Sequence, residues 1–346
     1  MIKQNKNPHQ AIIFWLYFIC GLVFAMVMIG AITRLTDSGL SIVEWRPLLG
    51  ALPPMSDHEW NRVYALYKAS PEFEKKHFWM DLHDFKQIFF WEWLHRFLGR
   101  FIGLAFALPL IFFAVTKRIP KGFGTTLIAL FALGGAQGLM GWFMVQSGLI
   151  DNPYVSHFRL AAHLGLAFLI MVCLLYTALK LQNIVGCAAS KGLYVHTWGV
   201  LGVVATTICW GAFTAGLDAG LLYNDEFPLM AGQVIPPDFH QYSSFWMNAI
   251  ENPVGVQMVH RWLAMLSVIA VLSLYWRGLR AGIRHWSLHA LMVMVGVQFT
   301  LGLATLLTHV HLHVAVTHQA GALCLLGLLV INMCRYKPLN NRRGID

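Results

Sequence analysis

The sequence predicts an all-α, polytopic membrane protein: eight transmembrane helices built as two parallel-repeat four-helix bundles. Three observations carry that expectation. Apolar residues make up 57% of the 346-residue chain and charged residues only 12%, about half the charged share of an ordinary soluble domain. Eight apolar stretches follow one another, each about 20 residues or longer, the length a helix needs to cross a bilayer. The last four stretches then repeat the polar landmarks of the first four in the same order.

The stretches fall near residues 11–33, 87–115, 125–145, 157–181, 194–216, 253–276, 286–308 and 313–334. The first is too long for a removable signal peptide and lacks a small-residue cleavage site, so it is read as a retained helix. Helices satisfy every backbone polar group within lipid, which also makes internal glycines tolerable. Basic residues set the orientation. One set of connections carries Lys3, Lys6, Lys117, Arg118, Lys121, Lys180, Lys191, Arg277, Arg280, Arg284, Arg335, Lys337, Arg342 and Arg343. The opposite connections 146–156, 217–252 and 309–312 carry no Lys or Arg, and the longest holds Asp218, Asp225, Glu226, Asp238 and Glu251. By the positive-inside rule both termini are expected to be cytoplasmic in a bacterial inner (cell) membrane, or on the matrix side in an organelle. The loop 34–86, with Lys75 and Lys76, has mixed charge, and long loops translocate largely regardless of charge. The net charge of +9 therefore reads as membrane topology, with lipid as the partner and no nucleic acid. Six cysteines, none in a CxxC pair, indicate neither a disulfide framework nor a zinc site.

The repeat is read directly from the letters. Gly30-Ala31, Thr33, Asp37, Gly39-Leu40, Pro47-Leu48 and Pro53-Pro54 follow the first span. Gly211-Ala212, Thr214, Asp218, Gly220-Leu221, Pro228-Leu229 and Pro236-Pro237 follow the fifth. His95-Arg96 answers His260-Arg261, and Gly135, Gln137 and Gly141 answer Gly296, Gln298 and Gly302. His163 answers His318. Four spans per half start both halves on the same side, a parallel repeat about the membrane normal. The expected division is residues 1–190 and 191–346.

An ionisable side chain within a span is costly and usually marks a function. His95, His163, His260 and His318 are each expected one to two turns into an even-numbered span, at similar depth near the outer face. Two such imidazoles on facing helices of one half can ligate a haem iron from both sides. A lone histidine is more often an interhelical hydrogen-bonding residue, but four at matching repeat positions favour haem. Structural zinc wants a closed shell of four N or S ligands, which two histidines per half do not supply. His309, His311 and His313 are read as a solvated connector in preference to a copper or zinc site. Arg96, Arg100, Arg159 and Arg261 lie beside the histidines, and the arginine fork matches a haem propionate. For any one of them, snorkelling to the headgroups weighs equally. Trp79, Trp91, Trp93 and Trp246 read as interface anchors.

One asymmetry breaks the repeat. Glu92 shares a helix face with His95, whereas its counterpart in the second half is the neutral Gln257. A carboxylate there can move protons or stabilise developing positive charge; the structural alternative is a salt bridge to Arg96. The inference is a reactive first half and an electron-transferring second half.

Asp84-Phe85-Lys86-Gln87-Ile88-Phe89, continuing to Glu92-Trp93-Leu94-His95-Arg96, resembles the signature of the haem A synthases. So do Gly39-Leu40-Ser41-Ile42-Val43-Glu44-Trp45 with Pro53-Pro54, Arg159-Leu160-Ala161-Ala162-His163-Leu164, Val259-His260-Arg261 and Thr317-His318-Gln319-Ala320. The resemblance implies oxidation of a ring methyl of haem O to a formyl group, giving haem A by successive hydroxylations for cytochrome oxidase assembly. It implies a haem b cofactor between His260 and His318, substrate haem between His95 and His163, and Glu92 in catalysis. It also implies haem O synthase and cytochrome oxidase assembly factors as partners. The first outer loop has no cysteine, so the chain resembles the mitochondrial and proteobacterial branch rather than members with a cysteine pair there. The stretch 224–228 also departs slightly from the family's usual loop. Two rivals stay open. A di-haem b electron-transfer cytochrome of the quinol oxidoreductase type would want histidine pairs at both membrane faces, and a non-catalytic haem-binding assembly factor would not need Glu92.

Overall fold

A computed structural model describes residues 9–44, 50, 52–149, 153–183 and 190–336. Lys3, Lys6, Trp45, Pro47, Leu48, Cys187, Lys337, Arg342 and Arg343 lie outside the described residues. The chain is an all-α polytopic membrane protein. Among the described residues ten α-helices follow in order: α1 (Gln10–Leu35), α2 (Asp57–Lys68), α3 (Leu82–Val115), α4 (Gly124–Gln146), α5 (His157–Leu181), α6 (Lys191–Gly216), α7 (Phe245–Ile250), α8 (Pro253–Arg280), α9 (Trp286–Leu307) and α10 (Leu312–Arg335). Among the described residues eight of these, all but α2 and α7, are long and apolar enough to cross a membrane.

The boundaries differ from expectation mainly at α3, which begins at Leu82 rather than near residue 87. The cause is a cap. The Asp81 carboxylate accepts from the backbone N–H of His83 (2.7 Å) and Asp84 (3.0 Å), and Asp84 accepts in return from the Asp81 N–H. That reciprocal box satisfies donors that a helix start otherwise leaves open. His95 therefore stands 13 residues beyond Leu82, more than three turns in, and not one to two as expected. His163, His260 and His318 stand 6, 7 and 6 residues beyond the starts of α5, α8 and α10, as expected.

The chain divides into two compact units, Met1–Cys20 with Met171–Asp346, and Gly21–Ile170. In the first, α6 packs on α8, α8 on α9, α9 on α10 and α10 back on α6, closing a bundle. Its core holds Val200, Val204, Val271, Leu274, Leu291 and Leu329, all buried. A buried polar pair pins α9 to α10: Ser287 donates to Asn332 Oδ1 (2.9 Å), and the Asn332 amide donates to the Ser287 carbonyl (3.0 Å).

In the second unit, α3 packs on α4 and α2 lies against the N-terminal end of α3. The Thr33 hydroxyl reaches the Trp91 carbonyl (3.4 Å) and ties α1 to α3. Ser56 caps α2 by accepting from the Glu59 N–H. An aromatic core gathers there: Tyr67 stacks on Phe85 with centroids 5.0 Å apart, and Trp60 meets Phe89 edge-on at 5.1 Å. Each such pair is worth about 0.5–1.5 kcal/mol beyond its buried area. This small core holds the loop that carries Ser41 and Ile42 beside the start of α3, with Ile42 packed on it.

Candidate functional site

Each of the four histidines rests its ring on a glycine. A Cβ on Gly30 would lie 3.0 Å from Cε1 of His95, one on Gly141 3.0 Å from His163, one on Gly211 3.0 Å from His260 and one on Gly302 2.9 Å from His318. Real Cβ contacts are essentially never shorter than this, so these four glycines clear the space the imidazoles occupy. Gly30 and Gly211 are repeat partners, as are Gly141 and Gly302. Within each half the two rings lie within electrostatic range of one another, and all four are half-buried rather than sealed.

Neighbours on the Nδ1 side orient three of the rings. The Gln137 amide donates to the His163 carbonyl (3.0 Å) and sits 3.2 Å from its Nδ1. Gln298 does the same for His318 at 3.0 and 3.2 Å. His260 Nδ1 lies 3.1 Å from the Thr207 carbonyl, an acceptor that requires the hydrogen on Nδ1 and leaves the Nε2 lone pair free for a metal.

Glu92 is buried beside this arrangement. One oxygen accepts from the Ser41 hydroxyl and the Ile42 N–H, both at 2.7 Å; the other accepts from Arg96 at 2.5 Å. The salt bridge weighed from the sequence is thus present, and Arg96 also donates to the Ile42 carbonyl (3.0 Å). The second half copies this geometry with inverted polarity. Gln257 donates to the Leu222 carbonyl (2.5 Å) and accepts from Arg261 (3.3 Å), which donates to the Tyr223 carbonyl (2.6 Å). Leu222 and Tyr223 are the repeat counterparts of Ser41 and Ile42.

Arg261 is buried, and its terminal nitrogens are taken by the Tyr223, Glu226 and Leu229 carbonyls and by Gln257. It closes the 217–252 loop over the second half, and its buried Nε has no hydrogen-bond partner among the described residues. Arg159 stacks 3.7 Å over the Phe143 ring and donates to the Phe143 carbonyl (2.8 Å), bracing the C-terminal end of α4 against the N-terminal end of α5. Arg100 lies one turn deeper than Arg96 on α3; its repeat counterpart is Met265. Trp79 and Trp246 are exposed, while Trp91 and Trp93 are half-buried. His309 and Val310 both take left-handed backbone, and the His311 and His313 rings lie 5.6 Å apart. Among the described residues no three His, Cys, Asp or Glu side chains converge as a metal-ligand group.

Residues 13–330 match the family described as cytochrome oxidase assembly protein. The chain belongs to that family. It is 46% identical over 341 residues to a heme A synthase from Rhodospirillum centenum, covering 97% of this chain and 91% of that protein. It is also 44% identical to a heme A synthase from Nitrosospira multiformis, over 93% and 92% of the two chains, and 42% identical to one from Parvibaculum lavamentivorans, over 96% of each.

For a family member of this kind the donor set fits haem: paired imidazoles, glycine clearances and a buried, unpartnered arginine N–H. Sequence reasoning singled out the glycines and glutamines as repeat marks but assigned them no task. Ser41 and Ile42 were named only within the family-like motif 39–45, with no role, and the Thr207 carbonyl was missed. Ser41 and Ile42 stand 51 and 50 residues from Glu92.

Proposed function

We propose that this chain is a haem A synthase, oxidising a ring methyl of haem O to a formyl group through successive hydroxylations. The single observation that carries the assignment is the asymmetry at one repeat position. Two repeat-related histidine pairs rest on matching glycines, yet only one has a buried carboxylate, Glu92, one turn from a ligand candidate.

Substrate haem O would sit between His95 and His163, and a haem b cofactor between His260 and His318. When bound, the cofactor supplies one-electron redox capacity. The residues of the first half bind, orient and handle charge. Glu92, fixed by Ser41, Ile42 and Arg96, presents a carboxylate whose position costs no reorganisation at the moment of reaction. It takes protons released as the methyl carbon is oxidised, or offsets positive charge that develops there. Arg96, Arg100 and Arg159 line the outer side of the first half for propionates. In the second half, Arg261 contributes its Nε–H and the loop it holds. The protein lies in the bacterial cell membrane with both termini cytoplasmic, as the basic inner connections support. It takes haem O from a haem O synthase and serves cytochrome oxidase assembly.

The test is extraction and chromatography of haems from cells expressing this chain with a haem O source. Haem A is expected, falling about 100-fold or more in Glu92→Gln and lost in His95→Ala. Bound haem b with no new haem species would move the electron-transfer cytochrome to the front. Unchanged haem A in Glu92→Gln would remove the carboxylate from the chemistry.

A further inference from the structure

The four imidazoles are not held alike. His163 and His318 are braced by Gln137 and Gln298, and His260 by the Thr207 carbonyl. His95 Nδ1 is buried and has no partner among the described residues. Its ring is also turned differently. At Gly141, Gly211 and Gly302 both ring nitrogens lie 3.5–3.7 Å from the glycine's Cβ position. At Gly30 only Nδ1 does, at 3.4 Å, and Nε2 stands beyond 4 Å.

The cause is readable in the helices beneath. In the second half the Thr207 hydroxyl bonds the Ser267 hydroxyl (2.7 Å) and reaches the Leu263 carbonyl (3.2 Å), drawing α6 against α8 at the level of His260. The repeat counterparts in the first half are Met26 and Ile102, which have no hydroxyl to pair. The Met26 methyl instead lies over Gly99, 3.5 Å from its Cβ position.

We propose that His95 is the exchangeable ligand of the first half, and that a small external iron ligand such as carbon monoxide or cyanide enters on its side. The proposal rests on the reading of His95 with His163 as a haem ligand pair. A hydrogen bond to the far nitrogen of an imidazole fixes its tautomer and direction and raises its basicity, and losing it weakens metal binding about 10- to 100-fold. His260 has such an acceptor in the Thr207 carbonyl, and the Gln137 and Gln298 amide nitrogens, which can only donate, fix the direction of His163 and His318; His95 has neither and yields. A haem that must enter as substrate and leave as product then has one firm ligand and one that opens, whereas the second half holds its haem from both sides.

The experiment uses the full chain, purified in detergent with both haems bound, reduced with dithionite and titrated with carbon monoxide. One of the two haems is expected to take carbon monoxide. Met26→Thr with Ile102→Ser, which rebuilds the hydroxyl pair in the first half, should weaken that binding about tenfold at unchanged haem content. The reciprocal pair, Thr207→Met with Ser267→Ile, should create a second carbon-monoxide-binding haem. Binding by both haems or by neither in the unaltered protein, or substitution pairs that leave binding as it was, would overturn the proposal. The ligand assignment is read separately, from haem content before any gas is added. Retention of both haems in His95→Ala with His163→Ala would sink that assignment, and this inference with it.

Discussion

A missing side chain does as much here as any present one. Gly302 packs against His318 so closely that a single methyl would stand 2.9 Å from the ring. Alanine is otherwise the better helix former by about 1 kcal/mol, so Gly302→Ala should leave α9 at least as helical. Overpacking of this kind costs about 1–3 kcal/mol, here taken up by tilting the imidazole. Haem retained by the second half should therefore weaken by about tenfold or more, read as haem per chain after washing in detergent. A Gly302→Ala protein with full haem content would show that the close approach has no bearing on ligation. The same logic separates the carboxylate from its amide counterpart. Glu92 accepts from a hydroxyl and a backbone N–H, whereas Gln257 donates to a carbonyl, so Glu92→Gln changes the polarity of a loop contact as well as a charge.

Between residue and molecule stands the segment built on α2 and the start of α3. Its interior is not wholly apolar. The buried Tyr67 hydroxyl lies 2.6 Å from Nδ1 of His77 and 3.0 Å from the carboxyl of Glu72, also buried. Burial pushes Glu72 up to about 8; the Tyr67 hydroxyl and Lys76 oppose this, while Glu92 and Asp37 reinforce it. Burial likewise lowers His77 and raises Tyr67. The Tyr67 hydroxyl donates to Glu72 and can accept from the Nδ1–H of a neutral His77, while a protonated Glu72 leaves this buried cluster uncharged. The folded segment thus keeps a proton that the unfolded chain releases near its ordinary value of 4.5. Its stabilising effect is full below that value and is lost as pH rises towards about 8, by up to about 1.4 kcal/mol per unit. The melting temperature of the detergent-purified protein, followed by the fluorescence of Trp60 and its neighbours, should fall from about pH 5 to pH 8. Glu72→Gln, which accepts without titrating, should flatten that fall; an unaltered slope would place the pH dependence elsewhere.

Across the whole molecule, what was legible in the sequence is what has a period or a repeat. Runs of apolar residues bounded by charge mark the membrane helices, and paired landmarks such as Gly30 with Gly211 and His95 with His260 mark the two halves. What was not legible depends on contacts that no local pattern encodes. The α2 segment mixes Trp60, Tyr64 and Tyr67 with charged neighbours, so its core emerges only when Phe85 and Phe89 are brought to it. The partners of Glu92 are a loop hydroxyl and a backbone N–H, and that of His260 is a backbone carbonyl. A main-chain atom has no letter of its own. The parallel repeat nevertheless commits the molecule to a topology that labelling can decide. If both halves start on the cytoplasmic side, the 34–81 and 217–252 loops face out together, while the connections after α3 and α8 face in. Met55 and Val234 are exposed in the outer loops, and Arg118 and Arg284 in the inner connections. Replaced singly by cysteine in a cysteine-free background, Met55→Cys and Val234→Cys should react with a membrane-impermeant maleimide in cells whose outer membrane has been permeabilised. Arg118→Cys and Arg284→Cys should react only after the inner membrane is broken. Labelling of Met55→Cys and Val234→Cys from opposite sides would make the repeat inverted, place His95 and His260 at opposite faces, and return the electron-transfer cytochrome to contention.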